Sequence, residues 1–235
     1  MQFIKKRKLK YLNTKKVNTM PIVKHNKLIE TSYKLNSREQ FFVLYLISKI
    51  SKSQNEFEEY QMHYSEIEKI LNFDGKRRIA NKNEVFELMR RVNSCQISYE
   101  RGSRKGESVW FQYYERDDET GNFYFRLSDK LKEYLLELKE HFTQYNIQNI
   151  VYLSANGIRM FELLKRYQFR EQVVLSVEDI KFYLGIEGQY PKTYDFKRYV
   201  LNKTQDELEL YTDVKFKYEE AEKKGKTVKS FRFYI

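Results

Sequence analysis

One order of elements occurs twice along this 235-residue chain, and that repetition constrains the fold more than any single motif does. The first copy opens near Asn36. Ser37 and Gln40 stand there at capping-box spacing, ahead of Phe41, Phe42, Leu44, Tyr45, Ile47 and Ile50, the pattern of a deeply buried helix. A short strand over residues 57–62 comes next. Ser65 and Glu68 then form a second capping box, which leads Ile67, Ile70 and Leu71 to a stop at residues 72–75. A third helix is expected from about Lys76 to Val92, its apolar positions Ile79, Val85, Phe86, Leu88, Met89 and Val92 partly at helical spacing. Residues 95–100 and 109–114 alternate in hydrophobicity across the Gly- and Arg-rich stretch 101–106, and residues 123–127 follow a Thr-Gly-Asn turn; these read as antiparallel strands.

The second copy repeats the order. A helix over residues 154–167 precedes one capped by Ser176 and stopped by Gly185, then a longer helix from about Lys192. Strands over 214–219 and 227–234 flank a Lys-rich turn in which Gly225 permits a tight reversal. Three helices and a β-hairpin, with a short Gly-containing turn before the third helix, describe a helix-turn-helix with a wing. The expected fold is therefore α+β, two tandem winged-helix domains. The expected boundaries are an arm at 1–20, an N-terminal domain at 21–140 and a C-terminal domain at 141–235.

Charge is distributed unevenly. The chain carries 44 Lys and Arg against 33 Asp and Glu, a net +11. Residues 1–24 hold eight of those basic residues, Lys24 included, and no acid; residues 25–150 balance, and the rest of the excess lies in 151–235. A basic arm on a mildly basic body suits a polyanion such as nucleic acid; a Lys-rich tail also serves simply to solubilise. The single cysteine, Cys95, excludes an intrachain disulfide, a thiolate zinc site and a CxxC redox pair. With no long apolar run and no apolar segment after the basic N-terminus, the expectation is a soluble, cytoplasmic protein.

At helical spacing, Phe196, Val200, Thr204 and Leu208 lie on one side of the last long helix and Asp195, Arg198, Asn202 and Gln205 on the other. The second face is an ordinary solvated surface or a reader of major-groove edges. Arg grips guanine, Asn and Gln grip adenine, and Asp accepts from cytosine. Lys192 and Thr193 stand at the helix start, where recognition helices enter the groove. Lys197 and the wing lysines Lys223, Lys224 and Lys226 are then candidate phosphate contacts, which set register but not sequence choice. In the first copy Lys76, Arg77 and Arg78, with Arg101, Arg104 and Lys105 in the wing, offer backbone contacts, and the net-neutral remainder offers a dimer interface.

Enzyme signatures are absent. His25, His63 and His141 are scattered and form no HxH or HExxH arrangement, and no GxxxxGK[ST] phosphate loop occurs, so no metal or other cofactor is expected. Twenty tyrosines invite a strand-nicking nucleophile, but that chemistry wants a base or metal alongside. Two readings stand open at this point: a transcriptional repressor and a rolling-circle nicking enzyme.

Several segments together resemble the iteron-binding plasmid replication initiators of the RepB type, which are built from two winged-helix domains. They are residues 23–30 (VKHNKLIE), 33–40 (YKLNSREQ), 141–145 (HFTQY), 158–167 (IRMFELLKRY), 194–200 (YDFKRYV) and the KKGK of 223–226. The resemblance spans roughly residues 21–235. It implies a monomer that straddles direct repeats in double-stranded DNA at an origin. It also implies a dimer, associated through the N-terminal domain, that represses its own gene at an inverted repeat, and partners in the host replication initiator and replicative helicase. By the same resemblance Lys192 and Arg198 match base-contacting positions, Asp195 matches a position beside them, and Lys197 and the wing lysines match backbone contacts.

Overall fold

A computed structural model describes residues 20–235 apart from 52, 73–80, 102, 137 and 226, with the side chains of 100 and 101 also left out. The N-terminal arm as far as residue 19, Lys76, Arg77, Arg78 and Lys226 therefore lie outside the described residues, as does the side chain of Arg101.

The chain opens with strand β1 (Pro21–His25), the short helix α1 (Asn26–Ile29) and the helix α2 (Ser37–Ile47). Then come β2 (Tyr60–His63), α3 (Tyr64–Leu71), α4 (Lys82–Ser94), β3 (Ile97–Arg101), β4 (Arg104–Ser108), β5 (Phe111–Arg116), β6 (Asn122–Leu127) and the single turn α5 (Lys132–Leu135). Strand β7 (Phe142–Asn146) returns to pair antiparallel with β1, and α6 (Ala155–Arg166), β8 (Gln172–Ser176) and α7 (Val177–Leu184) come after it. The last long helix runs through α8 (Thr193–Phe196), a π-turn (Lys197–Leu201) and α9 (Asn202–Tyr211), and a hairpin of β9 (Lys217–Lys224) and β10 (Thr227–Tyr234) closes the fold. Two three-stranded sheets, β2-β6-β5 and β8-β10-β9, back the two helical units. The helix–helix–hairpin order expected from the sequence is present in both halves.

Several local expectations are corrected. The capping box of α2 uses Asn36 and Glu39, one residue earlier than Ser37 and Gln40. Gln40 is spent elsewhere: it is buried, and its amide donates to the Leu35 and Ala155 carbonyls, tying α2 to the start of α6. Helix α3 is capped by the His63 ring, which accepts from the Ser65 N–H, so Ser65 lies inside the helix. Finally, β3 pairs with β4 while β5 pairs with β6, so residues 109–114 are not the partner of 95–100. The stretch read as a long turn is mostly strand. Gly106 is a strand residue opposite Tyr99, whose ring lies over the space a Cβ would take.

Helix α4 begins at Lys82 behind an Asn81 cap, later than the start expected near Lys76. Ser176 caps α7 as expected, Ser154 caps α6, and Gly185 ends α7 with φ +67°. A Cβ at Gly185 would sit 2.3 Å from the Tyr33 carbonyl oxygen, so the residue serves both a left-handed turn and a close approach between the two halves.

The largest correction concerns Lys24. Counted with the basic arm, it is fully buried: its Nζ lies 2.6 Å from Glu162 Oε1. Arg159 Nη1 reaches the same carboxylate at 3.2 Å and donates to Tyr33 Oη at 2.6 Å, Nη2 donates to the Ile29 and Thr31 carbonyls, and Nε to the Tyr183 carbonyl. The Tyr145 hydroxyl donates to Glu162. Burial brings the Lys24 ammonium down to about 8, against the pull of Glu162. Four of the family-like segments thus meet in one buried polar network joining β1, β7, α6 and α7.

Candidate nucleic-acid interface

Helix α7, the turn after it and the helix from Thr193 form the second helix-turn-helix. Lys181 holds the turn: its Nζ donates to the Gln189 and Tyr190 carbonyls at 2.8 and 2.9 Å and lies over the Phe196 ring. Tyr190, at φ +50°, takes a left-handed conformation that permits the reversal into the helix.

Phe196, Val200, Thr204 and Leu208 are all buried, as the helical spacing requires. On the other side Lys192 and Arg198 are exposed, Thr193 and Asp195 are half-buried at the first turn, and Arg198 stacks over the Tyr199 ring. Tyr194 and Tyr199 are also solvent-facing, at 67% and 48% exposure.

The π-turn alters the register of the rest of this helix. One extra residue per turn delays every later side chain by about one α-helical step, roughly 100°. Leu201 is thereby buried. Gln205, expected on the outer face, turns toward the wing and donates to the Phe216 carbonyl at 2.7 Å. Asn202 remains exposed, but its side-chain oxygen accepts from the Tyr218 hydroxyl. The same slip brings Lys197 and Asn202 to one side of the helix, facing Glu220 and Tyr218. Those two lie two residues apart on β9, about 7 Å, which matches five helical residues at about 1.5 Å each.

The wing is less uniformly basic than its lysines imply. Glu220 receives a hydrogen bond from Lys197 at 2.9 Å and lies 2.8 Å from Lys223 Nζ. Hydrogen bonds from Lys223 and then Lys197 hold its carboxyl below the usual range. Lys224 is exposed next to the tip, where Gly225 turns at φ +61°. In the first half, Arg104 and Lys105 are exposed on β4. Sequence reasoning misses Glu220 because it ends the strand at residue 219; extending the alternation over 217–224 would find it.

Residues 21–165 match the family described as Initiator Replication protein, WH1, and residues 176–235 match Initiator Rep protein, WH2. The chain belongs to the initiator replication protein family. The two matches cover the two winged-helix units, and the first extends through nearly all of α6. This family member also shares its fold with a solved structure described as the Pi initiator protein in complex with iteron DNA. The identity is 15%, the TM-score 0.65, and the likeness covers 92% of this chain and 96% of that one.

The three histidines of this initiator family member are not all apart. His25 and His141 come within 6.4 Å, edge to face, where β1 meets β7, whereas His63 caps α3. Burial lowers the His25 imidazole, assisted by Lys27 and His141. Among the described residues, no three His, Cys, Asp or Glu side chains gather in an arrangement that could hold a metal ion, and no helix is long and apolar enough to cross a membrane.

Proposed function

We propose that the protein initiates replication of the plasmid that encodes it by binding direct repeats, iterons, in double-stranded DNA. The recognition helix enters a major groove and the β9–β10 wing follows the adjacent backbone. The observation that carries this reading is the exposed row Lys192 and Arg198, presented on a helix-turn-helix beside an exposed wing lysine, in a chain of the initiator family. The iteron complex of the structurally similar Pi initiator supports the same choice of DNA.

Within this reading Arg198 and Lys192 meet base edges, Thr193 and Asp195 line the entry of the helix, and Asn202 reads from beside Tyr218. Lys224 and Lys226 bind phosphate, as do Lys197 and Lys223 when they leave Glu220. Arg104 and Lys105, with Lys76, Arg77 and Arg78, supply backbone contacts from the first half. The protein acts by binding, without a catalytic group or cofactor. A dimeric form repressing its own gene, and recruitment of a host initiator and the replicative helicase, complete the role.

The test is plasmid maintenance. A plasmid carrying the gene and its flanking DNA should replicate in a suitable host with the wild-type protein and be lost with Arg198→Ala, although the variant keeps wild-type thermal stability. Undiminished maintenance by Arg198→Ala would contradict the proposal.

A further inference from the structure

Two lysines expected to meet phosphate are already paired inside the protein. Glu220 is about a quarter exposed, 26%, and takes both Lys197 and Lys223, at 37% and 54% exposure. Lys224, one residue beyond Lys223, is exposed and has no ion-pair partner among the described residues. The two lysines therefore differ in what they can offer an incoming duplex.

Non-specific affinity for DNA comes from free cations that displace condensed counterions from phosphates, and it carries no sequence information. A lysine already held by a carboxylate must first release that partner, so it adds little to this term. Base reading depends instead on the pose of the recognition helix. Lys197–Glu220 and Asn202–Tyr218 fix that pose by fastening the start of the π-turn and the first residue after it to β9. Glu220 thus acts on both sides of discrimination.

We infer that Glu220 is a specificity-determining residue, which withholds Lys197 and Lys223 from indiscriminate phosphate binding while locking the wing to the recognition helix. The inference rests on the proposal that helix and wing contact DNA. It makes the protein a weaker binder of random sequence than its lysine count implies, and a better discriminator. No exchange of atoms is involved; the carboxylate competes with phosphate for the same two ammonium groups.

Three variants of the full chain test it: Lys223→Gln, Lys224→Gln and Glu220→Gln. Each is titrated by fluorescence anisotropy against a random-sequence duplex across a salt series, and against duplex direct repeats from the flanking DNA. Lys224→Gln should reduce the slope of log affinity against log salt by about 0.9, the value of one phosphate contact, whereas Lys223→Gln should reduce it by less than about half that. Glu220→Gln should steepen the slope by about one to two and tighten random-duplex binding on the order of tenfold, lowering the preference for the repeats.

Equal slope losses for Lys223→Gln and Lys224→Gln, or no steepening in Glu220→Gln, would overturn the inference and leave DNA binding by the wing intact. If neither lysine variant changes the slope, the wing does not touch DNA, and the inference falls together with that part of the proposed function. Both lysines are solvent-facing, so the comparison between them decides the matter even where Glu220→Gln fails to fold.

Discussion

Lys24 Nζ and Glu162 Oε1 lie 2.6 Å apart with both side chains withdrawn from water, so the first strand of the fold is charge-paired to α6. A buried pair of this kind is a poor source of net stability, because desolvation offsets its attraction, but removing one partner strands the other. Glu162→Gln should therefore destabilise the protein by about 3–5 kcal/mol. Lys24→Met should fall in the same range, since Arg159 alone does not replace the lysine. Chemical denaturation followed by circular dichroism checks both, and a loss below about 1 kcal/mol for either would mean that the network is not structural.

The same carboxylate sets a pH dependence. Burial alone would raise the Glu162 carboxyl, but Lys24 and then Arg159 overcome it and hold the group below its ordinary 4.5. The unfolded chain consequently takes up this proton before the folded one does. Stability contributed by Glu162 is complete above pH 4.5 and is lost as pH falls from there through the folded value. In acid solution, where Lys24 is charged, the stability gap between wild type and Glu162→Gln should thus shrink as pH falls below about 4.5. A gap that widens on acidification below about pH 4.5 would reverse the sign and refute the assignment.

Arg198 is exposed on the recognition helix and stacked on Tyr199. Arg198→Ala should cost about 1–3 kcal/mol on the specific site and relax preference at one base pair, with a smaller loss on random sequence. Competition binding against a panel of single-base variants of the repeat measures this. Equal losses on specific and random DNA would remove Arg198 from base reading.

Gln205 gives the opposite expectation. Its amide is committed to the Phe216 carbonyl, so Gln205→Ala should lower stability by about 1 kcal/mol and leave base preference unchanged. A relaxed base preference in this variant would mean that the helix reads DNA in uniform α-helical register, contrary to the π-turn.

Much of this is legible in the sequence because it depends on neighbours along the chain. The serine cap at 176, the left-handed stop at Gly185 and the buried stripe from Phe196 to Leu208 are local consequences of backbone hydrogen bonding and helical period. The features that escape depend on contacts made at a distance. Lys24 reads as a solvated lysine in a basic segment unless its partner, far away on α6, is known. Asn36 and Ser37 are both competent caps, and the choice between them is made by Gln40, which the carbonyl of Ala155 claims. The π-turn breaks the periodicity that the face assignment assumes, so Arg198, which lies only one residue into the turn, is placed correctly and Gln205, beyond it, is not. Glu220 is hidden by a strand boundary set too early.

The most direct test of the central claim is a footprint of the purified protein on the plasmid that encodes it, at about 50 and 200 mM salt, a range over which phosphate contacts alone lose much of their affinity. The account requires protection at regular intervals over direct repeats, spaced by about two helical turns, that persists at the higher salt. Diffuse protection that disappears with salt would contradict it and leave the two winged helices as a fold without the initiator's DNA target.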